Sequence, residues 1–362
     1  MKIFLLYPFL LTFIGCWDLS SFGINENYYV SSIGIHRTRA FLTLPRSVCH
    51  NNVSNPTVVE VAWTINHIYS SSNIPTKRQK ILDYQQWGEC KDLQDAISVD
   101  VEPKKPKIWI LDKGNELCLP KIVSYNLFYN NIFESCTLTD IPRQNLNTLV
   151  IDRAYGKFGH RAYIGNAGDD TILIFFLDEL KYWKLKLLHM DYPFISVSAD
   201  FLSISKIDPV LYITGRNSIE LFSIDLENIR NLEEPLISEA QATNLECKVT
   251  FLGHKLEISS GLETDYKNGL SYYLVRDYVV VRWLIGSPLE AEYHNIFAQS
   301  YEKLPYVSEL FTGPQNGLWA LVNPLSPKEC MEVNNTILEN IPRPENRAVK
   351  ILKYNKFLDD IF

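Results

Sequence analysis

Apolar runs of strand length, separated by short polar turns, recur along the whole chain. Within Lys107–Leu127, the apolar run Ile108–Leu111 is followed by a polar turn at Asp112–Gly114 and then by a second apolar run. Arg161–Phe176 and Val210–Leu226 repeat this order of aromatic, aliphatic and polar positions. A unit of this kind cannot bury its apolar face by itself, so several copies must pack together. The pattern therefore predicts a β-propeller.

The number of blades follows from the aromatic strand cores. These cores lie roughly 50 to 70 residues apart, a spacing that suits a four-stranded blade with variable loops, and they are Phe41, Trp109, Tyr163, Tyr212, Tyr273 and Trp319. The dipeptides Asn268–Gly269 and Asn316–Gly317 mark tight hairpin turns. The alternating segment Arg347–Tyr354 predicts a last strand that closes the ring beside N-terminal residues. We expect an all-β, six-bladed β-propeller that forms a single domain.

The first residues have the order of a secretory signal peptide. A positive start at Met1–Lys2 precedes the apolar run Ile3–Phe13, and the small residues Gly15 and Cys16 follow. The run is shorter than the ~20 apolar residues of a membrane-spanning helix. We therefore expect residues 1–16 to be removed, leaving residues 17–362 as a secreted, extracellular propeller without a membrane partner.

Cysteine usage agrees with an oxidising compartment. Removal of the leader leaves an even number of cysteines, namely Cys49, Cys90, Cys118, Cys136, Cys247 and Cys330. We predict a disulfide between Cys90 and Cys118, which flank one strand pair, and leave the other pairings open. The triplets that begin at Asn52 and Asn334 are acceptor sequences for N-glycosylation of a secreted chain.

Charge and motifs exclude several classes of function. The net charge of −7 disfavours nucleic-acid binding, which requires clustered Lys and Arg. The chain has no nucleophile elbow, zinc-protease motif, phosphate-binding loop or EF-hand loop, and its seven histidines are scattered. We therefore predict no metal and no cofactor, and the sequence identifies no catalytic residue.

Several longer segments together resemble the yellow/major royal jelly protein family of insects. They occur in one order and spacing, as Arg39–Arg46, Val99–Gly114, Cys118–Leu127, Ala162–Phe176, Trp183–Leu185 and Gly317–Asn323. The resemblance implies a secreted six-bladed propeller, in agreement with the blade count. Trp87–Ala96 resembles the yellow-g branch, which is associated with eggshell, more than the pigment-patterning branch.

Ligand sites of propellers form where polar loops converge on the central channel. The residues that follow the strand cores make Asp112, Asn166, Arg216 and Asn323 the candidate channel groups. Some yellow-related proteins of sand-fly saliva bind biogenic amines, and the resemblance places the hydroxyl and amide of that site at Ser308 and Asn323. Its aromatic position falls at Leu325, which cannot supply a cation–π interaction of ~0.5–2 kcal/mol.

Three hypotheses about function follow. The first is a non-catalytic extracellular matrix component of cuticle or eggshell, which affects pigmentation or hardening and contacts other matrix proteins. The second is a dopachrome-converting tautomerase of melanin synthesis, with Arg216 stabilising the developing oxygen charge. The third is a binder of biogenic amines or other small catechol or indole ligands. A channel plugged by side chains favours the first, an acid of perturbed pKa the second, and an aromatic-walled pocket the third.

Overall fold

Six antiparallel sheets stand around a central axis and form the blades of a propeller. The computed structural model describes residues 17, 19, 23–24, 28–49, 53–63, 80–156, 159–189, 196–231, 245–313, 316–332 and 346–353. The predicted leader at residues 1–16 and the two predicted glycosylation sites, Asn52 and Asn334, lie outside these described residues.

The strands follow one another from blade to blade in chain order. Blade one contains β1 (Ser32–His36), β2 (Arg39–Thr43), β3 (Val58–Ala62) and β4 (Lys80–Ile81). Blade two contains β5 (Ala96–Val101), β6 (Lys107–Asp112), β7 (Lys121–Asn126) and β8 (Asn131–Thr137). Blade three contains β9 (Leu146–Gly156), β10 (Gly159–Asn166), β11 (Thr171–Phe176) and β12 (Lys181–Leu188).

The second half of the ring adds two short helices and an extra strand. Blade four contains β13 (Phe201–Ile204), β14 (Val210–Thr214), β15 (Glu220–Asp225) and β17 (Thr250–His254), with α1 (Leu226–Arg230) after β15. The strand β16 (Leu245–Lys248) pairs in parallel with β12 of blade three. Blade five contains β18 (Ser259–Thr264), β19 (Gly269–Leu274), β20 (Val279–Leu284) and β21 (His294–Gln299). Blade six contains β22 (Tyr306–Gly313), β23 (Gly317–Asn323) and β24 (Arg347–Lys353), with α2 (Pro327–Glu332) after β23.

The predicted six-bladed, all-β fold is confirmed, and the six aromatic cores all fall on the second strand of a blade. Each of these side chains is buried against its neighbours. Asn268 and Asn316 have φ of 56° and 54°, the left-handed conformation that a tight hairpin turn requires. The spacing between successive aromatic cores is therefore the length of one blade along the chain.

The last strand forms, but with a different partner from the one expected. β24 pairs antiparallel with β23 and becomes the third strand of blade six. N-terminal residues lie at its start, where the Trp17 backbone N–H donates to the Asn346 carbonyl at 3.4 Å. The alternation of apolar residues predicted the strand itself. Which strand it pairs with depends on how the whole ring closes.

Aromatic side chains fill the wedge between neighbouring blades. Trp109 of blade two packs edge-to-face on Phe175 of blade three at 5.5 Å between ring centroids. Trp63, which follows β3, packs on Trp319 of blade six at 5.3 Å. Edge-to-face geometry is favourable because the positive ring edge meets the negative ring face. The second contact joins the first blade to the last and closes the ring.

Two disulfides reinforce the propeller. Cys90 and Cys118 form the predicted disulfide, across a separation of 28 residues. Cys49 and Cys330 form a second, 281 residues apart, which links the segment after β2 to α2. Cys136 and Cys247 are free thiols in the described part of the chain. No helix among the described residues is long and apolar enough to cross a membrane.

Candidate functional site

The first strand of every blade faces the axis, and together these strands enclose a central channel. The channel cavity has a volume of about 230 Å³ and is lined from β1, β5, β9, β13, β18 and β22. Since one water occupies about 30 Å³ of liquid, this space is equivalent to about eight waters or one single-ring molecule. The channel is the candidate functional site.

A ring of hydroxyl groups joins the blades around this channel. In each blade, one Ser or Thr on or next to the first strand bonds to the backbone of the next blade. The donor-to-acceptor distances run from 2.5 to 3.0 Å, for Ser31 to the Ile97 carbonyl, the Leu149 N–H to Ser98, Thr148 to the Asp200 carbonyl, the Thr264 N–H to Ser203, Ser260 to the Val307 carbonyl and Ser308 to the Val30 carbonyl. Neighbouring first strands belong to different sheets, so these side chains satisfy backbone groups that no strand ladder reaches.

Four of the first strands have a β-bulge or irregularity close to the channel. The register with the second strand shifts at Ile97, Gly261 and Ser308, and in β9 it shifts at Asn147–Thr148; all of these residues line the cavity. A bulge re-aims the side chains of a strand. At Gly261, φ is +63° and an added Cβ would lie 2.9 Å from the Leu310 backbone nitrogen, so the close approach of blade six requires glycine.

Three carboxylates also line the channel and cross from blade to blade. Asp100 accepts from the Ile151 N–H at 2.7 Å, Glu263 from the Thr312 N–H at 3.1 Å, and Glu309 from the Ile33 N–H at 2.8 Å. Their cationic neighbours in the lining are Lys206, which pairs with Glu263 at 3.1 Å, and Arg153.

Enclosure by the protein changes the proton affinity of two of these acids. Burial raises the pKa of Glu309 well above its usual value; the bonds from Ile33 and Ser32 oppose the shift, and the negative charges of Asp100 and Glu263 add to it. Burial likewise raises the pKa of Asp100, against bonds from Ile151 and Val101 that lower it. The channel therefore holds carboxyl groups that take up protons more readily than exposed ones.

The mouth at the start of the first strands is aromatic and cationic. Tyr29 and Tyr306 lie with ring centroids 6.1 Å apart, and burial raises the pKa of both phenols, which keeps them as hydroxyl donors. Arg216 lies 5.9 Å from the centre of the Phe201 ring and donates to the Asn147 side-chain oxygen. Lys113 completes this rim, and burial lowers its pKa.

Two of the five predicted ligand-site residues line the cavity and three do not. Ser308 and Arg216 are part of the lining, whereas Asp112, Asn166 and Asn323 lie outside it. These three end the second strands β6, β10 and β23. A second strand stands about 4.8 Å farther from the axis than the first. Arg216 reaches the mouth because it lies beyond the end of β14 and has a long side chain.

The three residues outside the lining bind protein groups instead. Asp112 accepts from the Gln94 and Asp95 N–H groups at 2.8 and 2.6 Å, and Asn166 donates to the Thr171 hydroxyl at 2.5 Å. Asn323 accepts from the Val30 N–H at 2.7 Å and donates to the Val30 carbonyl at 3.0 Å and to the Ser308 hydroxyl at 3.0 Å. The amide and hydroxyl positions carried over from the amine site are therefore engaged in ring closure.

Aromatic side chains from other parts of the chain lie close to Leu325, the position where the amine site has an aromatic residue. Leu325 packs in one cluster with Tyr29 and Tyr306. The two tyrosines and the acids Asp100, Glu263 and Glu309 were missed by the sequence reasoning. A signal was present for two of the acids, since Asp100 in ISVDV and Glu309 in YVSELF stand inside strand-like apolar runs, whereas Glu263 stands in the largely polar stretch SSGLETD.

No group of three or more His, Cys, Asp or Glu side chains among the described residues is arranged to hold a metal ion. The charged side chains of the channel lining are the acids and cations named above. The site can therefore hold a small molecule by hydrogen bonds, charge and aromatic contact.

Comparison with solved structures finds chains that are similar at low sequence identity. A chain in a structure of U3-55K is 8% identical with a TM-score of 0.49, covering 90% of this chain and 80% of that one. A chain of the nidogen/laminin complex is 11% identical with a TM-score of 0.48, covering 75% and 80%. Virginiamycin B lyase from Staphylococcus aureus is 12% identical with a TM-score of 0.46, covering 82% and 78%. Similarity at this level carries no argument about function.

A search of curated proteins finds no match. The model of one protein family, described as major royal jelly protein, matches residues 96–340, which is more than half of the chain. This span includes every first strand from β5 to β22 and therefore most of the channel. The chain belongs to the major royal jelly protein family.

Proposed function

We propose that this protein is a secreted component of cuticle or eggshell whose central channel binds a small catechol or indole compound used in pigmentation or hardening. The observation that carries the proposal is the open channel of about 230 Å³ with two tyrosines at its mouth. A channel filled by side chains would favour a purely structural matrix role. The two disulfides are in keeping with an oxidising, extracellular compartment.

The charges of the lining favour a particular kind of ligand. Four basic residues, Lys113, Arg153, Lys206 and Arg216, line the channel together with three acids. The raised pKa of Glu309 favours its neutral form and so reduces the negative charge of the lining. An ammonium group would meet the cationic rim of Arg216 and Lys113. A neutral catechol, or one that carries a carboxylate, fits this rim better than a simple biogenic amine does.

Isothermal titration of the purified protein tests the proposal with matched single-ring ligands. We expect saturable binding of dihydroxyphenylacetate and of catechol, and weaker binding of dopamine, serotonin and octopamine. Arg216→Ala should weaken dihydroxyphenylacetate about tenfold, the equivalent of ~1.4 kcal/mol, and leave catechol nearly unchanged. The matched control is Arg276→Ala, because Arg276 is exposed and pairs with Glu257 away from the channel.

The outcomes separate the hypotheses. If the folded protein binds none of the tested ligands, ligand binding is contradicted and a structural matrix role remains. Tighter binding of amines than of the acid would contradict the charge argument and support an amine carrier.

Glu309 favours one second candidate, the conversion of dopachrome. A tautomerisation needs one group that removes a proton from a ring carbon and a second that donates a proton to the developing oxygen anion, and a carboxyl whose pKa is raised by burial holds a proton that it can donate. If the protein has this activity, it will accelerate the loss of dopachrome absorbance, and Glu309→Gln will abolish the acceleration while ligand binding persists. An unchanged rate in Glu309→Gln would contradict this assignment.

A further inference from the structure

A second cavity lies between blades one and two, at the end of the first strands opposite to the mouth with the two tyrosines, and it shares Ile35, Val101 and Arg153 with the channel lining. This groove has a volume of about 920 Å³ and is formed by the β1–β2 turn, the β5–β6 turn, the start of the β7–β8 turn and Arg153 of β9. We call it the basic groove, after the cations that line it beside His36: Arg37, Arg39, Lys104, Lys105 and Arg153.

Only some of these cations are neutralised by the protein. Arg39 pairs with Glu60 at 2.7 Å, and Lys105 pairs with Glu102 and with Asp178, both at 2.7 Å. Arg37, Lys104 and Arg153, by contrast, are exposed and form no ion pair with any residue that the structure describes. Arg153 is attracted by the carboxylate of Asp100 without pairing with it. Three positive charges therefore face solvent around one concave surface.

The pKa of the neighbouring histidine, His36, is affected by its burial and by positive charges of the groove. Burial lowers the pKa of His36, and the charges of Arg37 and Arg39 lower it further. A field that disfavours another positive charge at this position favours a negative one.

The groove is held in shape by its turns. Arg37 and Lys104 occupy the two hairpin tips with φ of 59° and 64°, and these hairpins start from the adjacent first strands β1 and β5. Arg39 anchors the β7–β8 turn through bonds of 2.7 Å to the Leu127 carbonyl and the Asn130 side chain. The cations therefore project from fixed points.

The same anchored turn presents two aromatic rings to solvent. Phe128 lines the groove and is 74% exposed, and Tyr129 beside it is 70% exposed, with ring centroids 5.0 Å apart. The Asn126 side chain accepts from both of their backbone N–H groups, at 2.9 and 3.1 Å. Large aromatic side chains held in water by a rigid turn mark an interaction surface.

We propose that the basic groove binds an acidic polysaccharide, a chain of sugar rings that carries sulfate or carboxylate groups at regular intervals. Separated cations match the repeated anions, and the exposed rings can stack on the apolar C–H face of a sugar. The net charge of −7 repels a polyanion from the rest of the surface and directs it to this groove. The inference is independent of the channel ligand.

The test uses the whole protein and heparin as the probe. We expect heparin to bind with an affinity that falls steeply with added salt, because bound counterions are released from the polyanion. Arg37→Glu combined with Lys104→Glu should weaken binding at least about tenfold and reduce the salt dependence. Phe128→Ala should weaken binding severalfold and leave the salt dependence unchanged, since it removes only the stacking contact.

A matched charge-reversal control separates the groove from general electrostatics. Lys328→Glu combined with Arg276→Glu changes the net charge by the same amount at two exposed sites outside the groove. We expect heparin binding by this control to stay within about twofold of wild type. Thermal unfolding of every variant checks that the fold is retained.

Three results would overturn the proposal. The first is absence of heparin binding at physiological salt. The second is equal loss of binding in the groove variant and in the control. The third is tighter binding of a single-stranded oligonucleotide than of heparin through the same residues, which would make nucleic acid the partner. Each readout is separate from the channel titration, so failure of either proposal leaves the other intact.

Discussion

Single polar residues of the first strands hold this propeller together at its centre. Ser308 and Glu309 are neighbours on β22, and both bond to backbone groups that flank or belong to blade one, at Val30 and Ile33. A polar residue inside an apolar run is visible in the sequence, but its partner in another blade is not. At the residue scale, polar residues of the channel lining therefore stabilise the contacts between blades, whether or not they also bind a ligand.

The buried acid Glu309 predicts a dependence of stability on pH. Its pKa is raised in the folded protein, so the folded state holds this proton over a range where the unfolded chain has lost it. From about pH 4.5 up to the raised pKa, Glu309 therefore makes the free energy of unfolding fall as pH rises. Glu309→Gln should remove this contribution and gain stability relative to wild type over that range, as measured by urea unfolding at several pH values.

A suitable control is Glu116→Gln, because the Glu116 side chain is 89% exposed. If the difference between Glu309→Gln and wild type stays constant with pH, the assignment is wrong.

At the scale of elements, polar residues at the ends of second strands bind the backbone that leads into the first strand of a blade. Asp112 at the end of β6 binds the N–H groups just before β5, and Asn323 at the end of β23 binds Val30 just before β1. Polar residues at these ends were interpreted from the sequence as channel groups. The structure places Asp112 and Asn323 outside the cavity lining, because their side chains leave a second strand and bond to the backbone that leads into a first strand.

Removal of the Asp112 carboxylate should loosen the start of blade two. Asp112→Ala removes the acceptor of three buried N–H groups, those of Gln94, Asp95 and Gly114, and leaves the buried Lys121, 3.4 Å away, without its carboxylate. We expect a loss of about 3–5 kcal/mol in the free energy of unfolding. Hydrogen exchange at Gln94 and Asp95 should accelerate more than exchange elsewhere. The exposed Asp277→Ala is the control, and equal effects of the two substitutions would contradict the proposed role.

At the scale of the whole molecule, the ring is closed by contacts between residues far apart in sequence. Trp63 packs on Trp319, the hydroxyl of Ser308 donates to Val30, and the disulfide Cys49–Cys330 joins blade one to the helix after β23. Closure protects the first and last blades, which would otherwise present open faces to solvent.

The two disulfides should differ in their effect on stability. In the chain-entropy description, a link across 281 residues contributes about 5.6 kcal/mol and a link across 28 residues about 3.6 kcal/mol. Replacing Cys49 and Cys330 by alanine should therefore lower the urea midpoint more than replacing Cys90 and Cys118. An equal or reversed order would show that ring closure depends on packing and not on the covalent link.

The sequence by itself determined the blade repeat, the second strands and the disulfide between Cys90 and Cys118. These features are local, because alternation of apolar residues, Asn-Gly turns and cysteines beside one strand pair act over a few tens of residues. The tertiary structure alone decided that Asp100, Glu263 and Glu309 face the axis, that β24 pairs with β23, and that Arg37 lies beside Lys104. Those outcomes depend on which side of a strand faces the channel and on which blades become neighbours. Both are settled only when the last blade packs against the first.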